Sequence, residues 1–383
     1  MRTLFIASWY PNKEDPLSGI FIRRHAEALS RYCDVSVLYL HYDKKTKESR
    51  IEVCCENGVL VFRAYFEAIR ALRGSRYPNA LFTLSHFFAI LSHIKKSCGT
   101  PDIVHANVIY PAGLLGLVMK RIYQVPLVLT EHQSPFSVYL SNRPTAVIAK
   151  RVMEEASAIL PVSTAQMRDM KNLYDSERYL VVPNVVNTEK FKPGQAAPGK
   201  KCRVVHISTM DERFKNVCLL LQSVKRLSKQ RSDFEVNIVG DGKDRRFVEE
   251  YARRLQLGDE VVHFTGRLSE GQVAQHMQSS QFLVLSSNKE SFSVVCAEAI
   301  SCGIPVVCTK CGGPEDYVSD KVGRLVEPRN GVALTDAIDW MIDHHSDFDP
   351  DVLHEYARQR FSYESVGRRI FGVYQSILSK QDH

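Results

Sequence analysis

The stretch SSNKESFSVVCAEAISCGIPVV, Ser286 to Val307, decides the reading of this 383-residue chain. Leu283-Val284-Leu285 just before it is a short apolar run that reads as a buried strand. Ser286 to Phe292 is then a polar loop, and Ser293 to Ser301 a helix of small residues ended by Gly303 and Pro305. Glu290 lies in the loop and Glu298 in the helix, where it alone breaks the run Val294, Val295, Ala297, Ala299, Ile300. An acid in such a run needs a partner other than water. The unbonded N–H groups at the start of the helix suit a phosphate, and an acceptor-only carboxylate beside them suits hydroxyls.

The same strand-loop-helix plan repeats on both sides of this stretch. Upstream, Arg203 to Ser208 reads as a strand, Asn216 to Ser228 as a helix, and Phe234 to Gly242 and Val261 to Arg267 as strands with tight turns. The Phe234 to Gly242 turn lacks the G-x-G-x-x-G spacing, which excludes a nicotinamide site there. In the first half, Leu4 to Ala7, Val35 to Tyr39, Gly58 to Phe62, Pro101 to Asn107, Val125 to His132 and Ala156 to Val162 read as strands. Ser163 is placed to cap the helix from Thr164. Parallel strands with polar carboxyl ends put those residues at the edge where open α/β sheets bind ligands, making His105, Asn107, Glu131 and His132 candidates. Gly19, just before the helix from Ile20 to Arg31, allows a ligand close to the backbone. The polar segment from Phe191 to Lys201 is the expected domain boundary.

Length suits two domains, and 44% apolar residues suffice for two cores. The +7 charge is confined to residues 1–183, with 23 basic against 16 acidic residues; residues 184–383 balance at 27 each. Residues 63–96 carry Arg63, Arg70, Arg73, Arg76, Lys95 and Lys96 against Glu67, among Phe66, Tyr77, Phe82, Phe87 and Phe88. That pattern fits an anionic membrane surface, and equally an ordinary solvated helix pair. No apolar run reaches the length of a membrane span, and the start of the chain reads as a first strand, so a cytoplasmic location with peripheral membrane attachment is expected. The ten cysteines show no disulfide framework, and Cys308-x-x-Cys311 lacks a second pair for zinc. Asp347-Phe348-Asp349 spells a D-x-D, but in a late acidic stretch between helices.

The two acids eight positions apart, Phe292 between them and the Gly-x-Pro-Val-Val exit resemble the E-x7-E motif of retaining glycosyltransferases of family 4. Ser291 and Ser293 stand where that family usually has glycine. Val181 to Asn187 is similar to its V-P-N-G-V-D segment, and Gly312 to Asp316 to its Gly-Gly-x-x-Glu turn. The resemblance implies the GT-B fold, two Rossmann-like α/β domains with parallel sheets facing across a cleft. Residues 1–190 form the acceptor domain, 199–360 the nucleotide-sugar donor domain, and a helix over 363–380 crosses back to the first.

It also implies roles. Glu290 takes the sugar hydroxyls and Glu298 the ribose hydroxyls. Lys215 stands on the family's diphosphate-binding Lys; Thr209 replaces its Arg, leaving Arg213 as the nearby substitute. His105 and His132 are positioning residues close to the chemistry, and Asn107 replaces a histidine often set against the donor sugar. Phe292, Ser293, Gly19, Glu131, Gly266 and Arg267 border the donor. The implied reaction moves a hexose, with retention, from a nucleoside-diphosphate sugar to an acceptor hydroxyl, with a lipid-linked saccharide of a surface polysaccharide pathway as acceptor. No metal or other cofactor is required, and no nucleic acid partner is expected. Two rivals share these features: a GT-B nucleotide-sugar epimerase, and a non-catalytic nucleotide-sugar or polyanion binder.

Overall fold

The apolar runs of the first half become the strands of one sheet in the structure, a computed structural model that describes residues 1–43, 49–67, 80–194 and 201–380. In chain order the elements are β1 (Arg2–Ala7), α1 (Ile20–Leu29), β2 (Asp34–Asp43), β3 (Arg50–Glu56), β4 (Val59–Glu67), α2 (Ala80–Cys98), β5 (Ile103–Asn107), α3 (Leu114–Tyr123), β6 (Leu127–Glu131), α4 (Arg143–Glu155), β7 (Ala158–Pro161) and α5 (Thr164–Lys171). The strand order is β3-β4-β2-β1-β5-β6-β7, parallel throughout except for β3. β1 lies at the centre, with Phe5 level with Val37 and His105. Strands covered on both faces are continuously apolar, as Leu4-Phe5-Ile6 and Leu127-Val128-Leu129 are. β3 is an addition to the expected strands; it pairs antiparallel with β4 through Asn57-Gly58, both at positive φ, the backbone of a two-residue hairpin turn.

The second half builds β8 (Cys202–Ile207), α6 (Glu212–Lys215), α7 (Val217–Leu227), β9 (Phe234–Val239), α8 (Arg245–Arg254), β10 (Val262–Gly266), α9 (Glu270–Gln278), β11 (Phe282–Leu285), α10 (Val294–Ser301), β12 (Val306–Thr309), β13 (Gly323–Val326), α11 (Gly331–His344) and α12 (Pro350–Phe361). Its six strands run in the order β10-β9-β8-β11-β12-β13, all parallel. α13 (Tyr363–Leu378) follows, and the chain divides into Met1–Val185 with Tyr363–His383 as unit 1 and Val186–Ser362 as unit 2. Unit 2 thus starts earlier than the polar segment suggested, because residues 186–194 are bonded into it. The Val186 N–H donates to the Phe361 carbonyl at 2.8 Å, Phe191 is buried, and Gln278 Nε2 donates to the Lys192 carbonyl at 3.0 Å. Residues 195–200 of the expected boundary lie outside the described residues.

Both sheets wind outward from a central pair. In unit 2 the chain runs β8, β9, β10 to one side, then returns to place β11, β12, β13 on the other. The loops after β8 and β11 therefore diverge at the carboxyl edge and leave a crevice, the place where such sheets bind ligands. In unit 1 the same reversal falls between β1 and β5.

Residues 63–96 are not one basic face: Arg63 is buried on β4, donating to Glu56 at 2.7 Å and to the Pro11 carbonyl at 2.8 Å. Phe66 and Phe87 are core, and Arg70, Arg73, Arg76 and Tyr77 lie outside the described residues. Of the described part, α2 keeps Leu81, Phe88, Lys95 and Lys96 exposed, and no described helix is long and apolar enough to cross a membrane. The second D of Asp347-x-Asp349 is a helix cap, its Oδ1 accepting the Asp351 and Val352 N–H groups at 2.8 and 3.3 Å. His105 is corrected from a sheet-edge residue to a core one. It is fully buried beside Phe5, with Nδ1 2.6 Å from the Tyr374 hydroxyl of α13 and Nε2 2.7 Å from Thr130 Oγ1.

The Tyr374 contact ties the final helix to the centre of the unit 1 sheet. Gly367 supports it, lying where a Cβ would come 2.3 Å from the Ala28 carbonyl oxygen of α1. Tyr374→Phe removes one hydroxyl and leaves a buried imidazole nitrogen without its partner. A loss of about 1–3 kcal/mol is expected in the urea unfolding of unit 1, with the unit 2 transition unmoved.

Candidate functional site

The crevice of unit 2 is built by the two loops that diverge at its carboxyl edge. After β8, the chain turns into the short helix α6, which ends on Lys215, and Asn216 at φ 48° redirects it into α7. Glu212 fixes that turn: its carboxylate accepts the Val217 and Cys218 N–H groups at 2.7 and 3.1 Å. After β11, the 286–293 loop is stitched to α6. Ser286 Oγ donates to the Lys215 carbonyl at 3.2 Å, the Asn288 N–H to the Phe214 carbonyl at 2.6 Å, and Asn288 Nδ2 to the Arg213 carbonyl at 3.1 Å.

The two loops bring Lys215 and Glu290 together, with Nζ 2.6 Å from Oε1. Both side chains are largely covered, at 21% and 11% exposure, so solvent screens the pair less than one on the open surface. Ser287 Oγ donates to the same Oε1 at 2.7 Å, and Ser287 is held in turn by Thr309 Oγ1 on its carbonyl at 2.5 Å. The Glu290 backbone is gripped on both sides: its N–H donates to the Cys311 carbonyl at 2.8 Å and its carbonyl accepts the Gly313 N–H at 3.0 Å. That approach requires glycine, since a Cβ on Gly313 would sit 2.3 Å from Phe292 Cα. The carboxylate does not cap α10, so its second oxygen is the one that Lys215 and Ser287 leave over.

α10 begins at Val294, one residue later than the sequence suggested. Ser293 sits outside it at φ 65°, ψ 79°, and its side chain makes no capping bond. The first helical bond reaches back from Ala297 to the Ser293 carbonyl at 3.4 Å, so the N–H groups of the first turn precede the internal ladder. Glu298, 6% exposed, lies on this helix. Phe292 is corrected from a donor contact to a core residue: its ring packs 5.2 Å from Tyr317 and 5.5 Å from Phe361. Arg213 does not join the pair; its side chain is 70% exposed and lies over the Phe214 ring. Gly266 ends β10 with its carbonyl on the Gly240 N–H at 2.9 Å, and Arg267 is exposed beside it. His206 was not anticipated. It is buried under the crevice between the Val284 carbonyl and Ser208 Oγ, each at 2.9 Å, and burial lowers its pKa to about 4.

In unit 1 the corresponding edge is drier. Gly19, at φ 61°, is pressed against the chain after β1, where a Cβ would lie 2.3 Å from the Trp9 carbonyl oxygen. His132 packs 4.7 Å from Phe21 and 5.2 Å from His25, centroid to centroid. Asn107 is fully buried, its Oδ1 without a hydrogen-bond partner in the structure. Glu131 is corrected from a ligand contact to an internal brace: Oε2 accepts the Ile109 N–H at 3.0 Å, and Oε1 the His132 and Gln133 N–H groups at 2.8 and 2.6 Å. Burial raises its pKa to about 7 against those three donors. Burial also lowers His25 to about 4 and takes His105 and His132 well below the ordinary histidine value.

Residues 187–360 match the family model described as Glycosyl transferases group 1, and residues 18–190 the one described as Glycosyltransferase Family 4. The chain belongs to glycosyltransferase family 4. This glycosyltransferase is 26% identical, over 98% of its length and 99% of the relative's, to the Bacillus subtilis (strain 168) protein named "Putative teichuronic acid biosynthesis glycosyltransferase TuaC". It is 23% identical to a D-inositol 3-phosphate glycosyltransferase of Corynebacterium urealyticum, over 94% of this chain and 90% of that one. Among solved structures it resembles sucrose-phosphate synthase from Thermosynechococcus elongatus, with a TM-score of 0.81 at 18% identity over 99% and 100% of the two chains. It also resembles Anabaena HepE in complex with UDP-glucose, with a TM-score of 0.72 at 18% identity over 98% and 100%. The glycosyltransferase therefore has the GT-B fold, two α/β domains with parallel sheets.

The buried imidazoles set a pH response. Below the unfolded value of about 6.5, the unfolded chain takes up protons that folded His25, His105 and His132 refuse, so their contribution is present above that pH and lost below it. Glu131 works the other way, since its raised pKa gives stability that fades as pH rises from about 4.5 to 7. Among the described residues of unit 1 these three histidines, with His86 shifted the same way by burial, oppose Glu131, each group worth at most about 1.4 kcal/mol per pH unit. Calorimetry is expected to show unit 1 melting at lower temperature at pH 5 than at pH 7; an equal or higher melting temperature at pH 5 contradicts it.

Proposed function

We propose that this glycosyltransferase moves a hexose, with retention at the anomeric carbon and without a metal ion, from a nucleoside-diphosphate sugar to an acceptor hydroxyl. The observation that carries the reading is the 2.6 Å pair of Lys215 and Glu290 in the crevice between β8 and β11, next in the chain to the uncapped start of α10. In the transfer the bond from the anomeric carbon to the diphosphate oxygen breaks and its electron pair leaves with the diphosphate. Charge accumulating there is steadied by the Lys215 ammonium and by the first-turn N–H groups of α10. Glu290, oriented by Ser287 and Lys215, accepts from the sugar hydroxyls; Glu298 accepts from the ribose hydroxyls. Glu212, a further carboxylate of the crevice loops, is taken up by the Val217 and Cys218 N–H groups; in this reading no enzyme carboxylate serves as nucleophile, the acceptor oxygen attacks from the face the diphosphate leaves, and its proton passes to the departing phosphate oxygen.

Unit 1 takes the acceptor. The acceptor class follows the relatives' names: one is named for teichuronic acid biosynthesis and another for an inositol phosphate, while HepE binds UDP-glucose. A lipid-linked saccharide of a surface polysaccharide fits that company, and α2, with Leu81, Phe88, Lys95 and Lys96 outward, is the described surface that meets an anionic membrane.

Incubation with a panel of radiolabelled nucleotide sugars and extracted lipid acceptors is expected to move label to the lipid phase, undiminished by EDTA. Glu290→Gln and Lys215→Ala are each expected to lower the rate at least about 100-fold, with the circular dichroism unchanged, and proton NMR of the product to show the donor's anomeric configuration. Wild-type rates in either variant remove that residue's role; an inverted product removes same-face attack. Altered sugar without any acceptor indicates the epimerase, and binding without turnover the non-catalytic protein.

A further inference from the structure

Ser293 holds a left-handed conformation, φ 65° and ψ 79°, that a residue with a Cβ adopts reluctantly. Tyr317, which the transfer reading does not use, supplies the restraint. Its hydroxyl lies 2.9 Å from the Phe292 carbonyl oxygen and 2.8 Å from that of Ser293, its single proton shared between the two peptide groups that flank Ser293. The tyrosine is itself fixed: its ring is 5.2 Å from both Phe292 and Phe361, and its carbonyl accepts the Tyr356 hydroxyl at 2.7 Å.

Peptide geometry turns this restraint into a direction. In a trans peptide the C=O and the following N–H point opposite ways, and the two cis bonds found among the described residues lie elsewhere, at Pro111 and Pro135. With the Phe292 and Ser293 carbonyls both drawn to one hydroxyl, the Ser293 and Val294 N–H groups are both turned away from it. Successive N–H groups around a left-handed residue form an anion-binding concavity. We propose that Tyr317 is a positioning residue of the donor site, holding the Ser293 and Val294 N–H groups as a two-donor cradle for a phosphate of the sugar-nucleotide diphosphate. This rests on the reading of α10 and Lys215 as the diphosphate site.

The test uses the full chain and inorganic pyrophosphate as probe, with binding followed by titration calorimetry and by amide NMR. Tyr317→Phe keeps the ring and removes the shared bond; it is expected to weaken pyrophosphate about three- to tenfold, the worth of one hydrogen bond, and to raise donor KM more than it lowers kcat. The Ser293 and Val294 amide signals, which move downfield with pyrophosphate in the parent chain, are expected to move less. On a Ser293→Gly background, where the left-handed turn needs no restraint, the same Tyr317→Phe change is expected to cost less than twofold. Ser293→Val, whose branched side chain opposes that turn, gives the effect without touching Tyr317. Equal losses from Tyr317→Phe on both backgrounds mean that it only stabilises unit 2, and unchanged affinity in Tyr317→Phe or Ser293→Val overturns the cradle. Lys215→Ala separates the two levels: if it leaves pyrophosphate binding intact the donor-site reading fails, whereas loss there with no effect of Tyr317→Phe fails the positioning role alone.

Discussion

The ion pair of Lys215 with Glu290 is the constraint around which unit 2 is arranged. Neither residue is on a long element: one ends a four-residue helix and the other stands in a loop. Their meeting at 2.6 Å depends on the doubly wound sheet placing β8 and β11 side by side with their following loops diverging. It depends also on Ser286 and Asn288, whose hydrogen bonds to the α6 carbonyls join the loops before any charge is considered. Opposite charges held at contact in a partly covered site fix each other's orientation.

Beneath that pair the site rests on backbone. The Cys311 and Gly313 peptides clamp Glu290, Tyr317 clamps the next turn, and Gly313 clears the space that lets the two strand-end loops touch. Rigid support of this kind suits a catalyst that stabilises charge by position rather than by rearrangement. Unit 1 uses the opposite means. His132 at its edge is packed against the rings of Phe21 and His25, and the buried acid Glu131 is consumed by N–H groups of its own loops.

The alternation of strands and helices was legible because parallel strands buried on both faces leave unbroken apolar runs, as at Leu283-Val284-Leu285 and Leu127-Val128-Leu129. Glu290 and Lys215, singled out in two distant loops, are brought together at 2.6 Å. The rest failed for identifiable reasons. β3 mixes charge and apolar residues as an edge strand, and its signal was the Asn57-Gly58 turn rather than its own pattern. His105 and Glu131 stand at strand ends like ligand residues, yet what decides their environment is a helix over two hundred residues away for one and three loop N–H groups for the other. Phe292 lies between two site residues in sequence, but the turn around Ser293 sends its ring inward. Tyr317 gave no signal at all, since a hydroxyl that orients two carbonyls across a loop leaves no periodicity behind.

The last helix has a temporal meaning. α13 completes the packing around His105 and α1, yet it leaves the ribosome only after the whole of unit 2. A nascent chain folding in the order of its synthesis therefore carries the central sheet of its first unit with one side of His105 uncovered until α13 has been made, while the later-made unit, continuous in sequence, closes first.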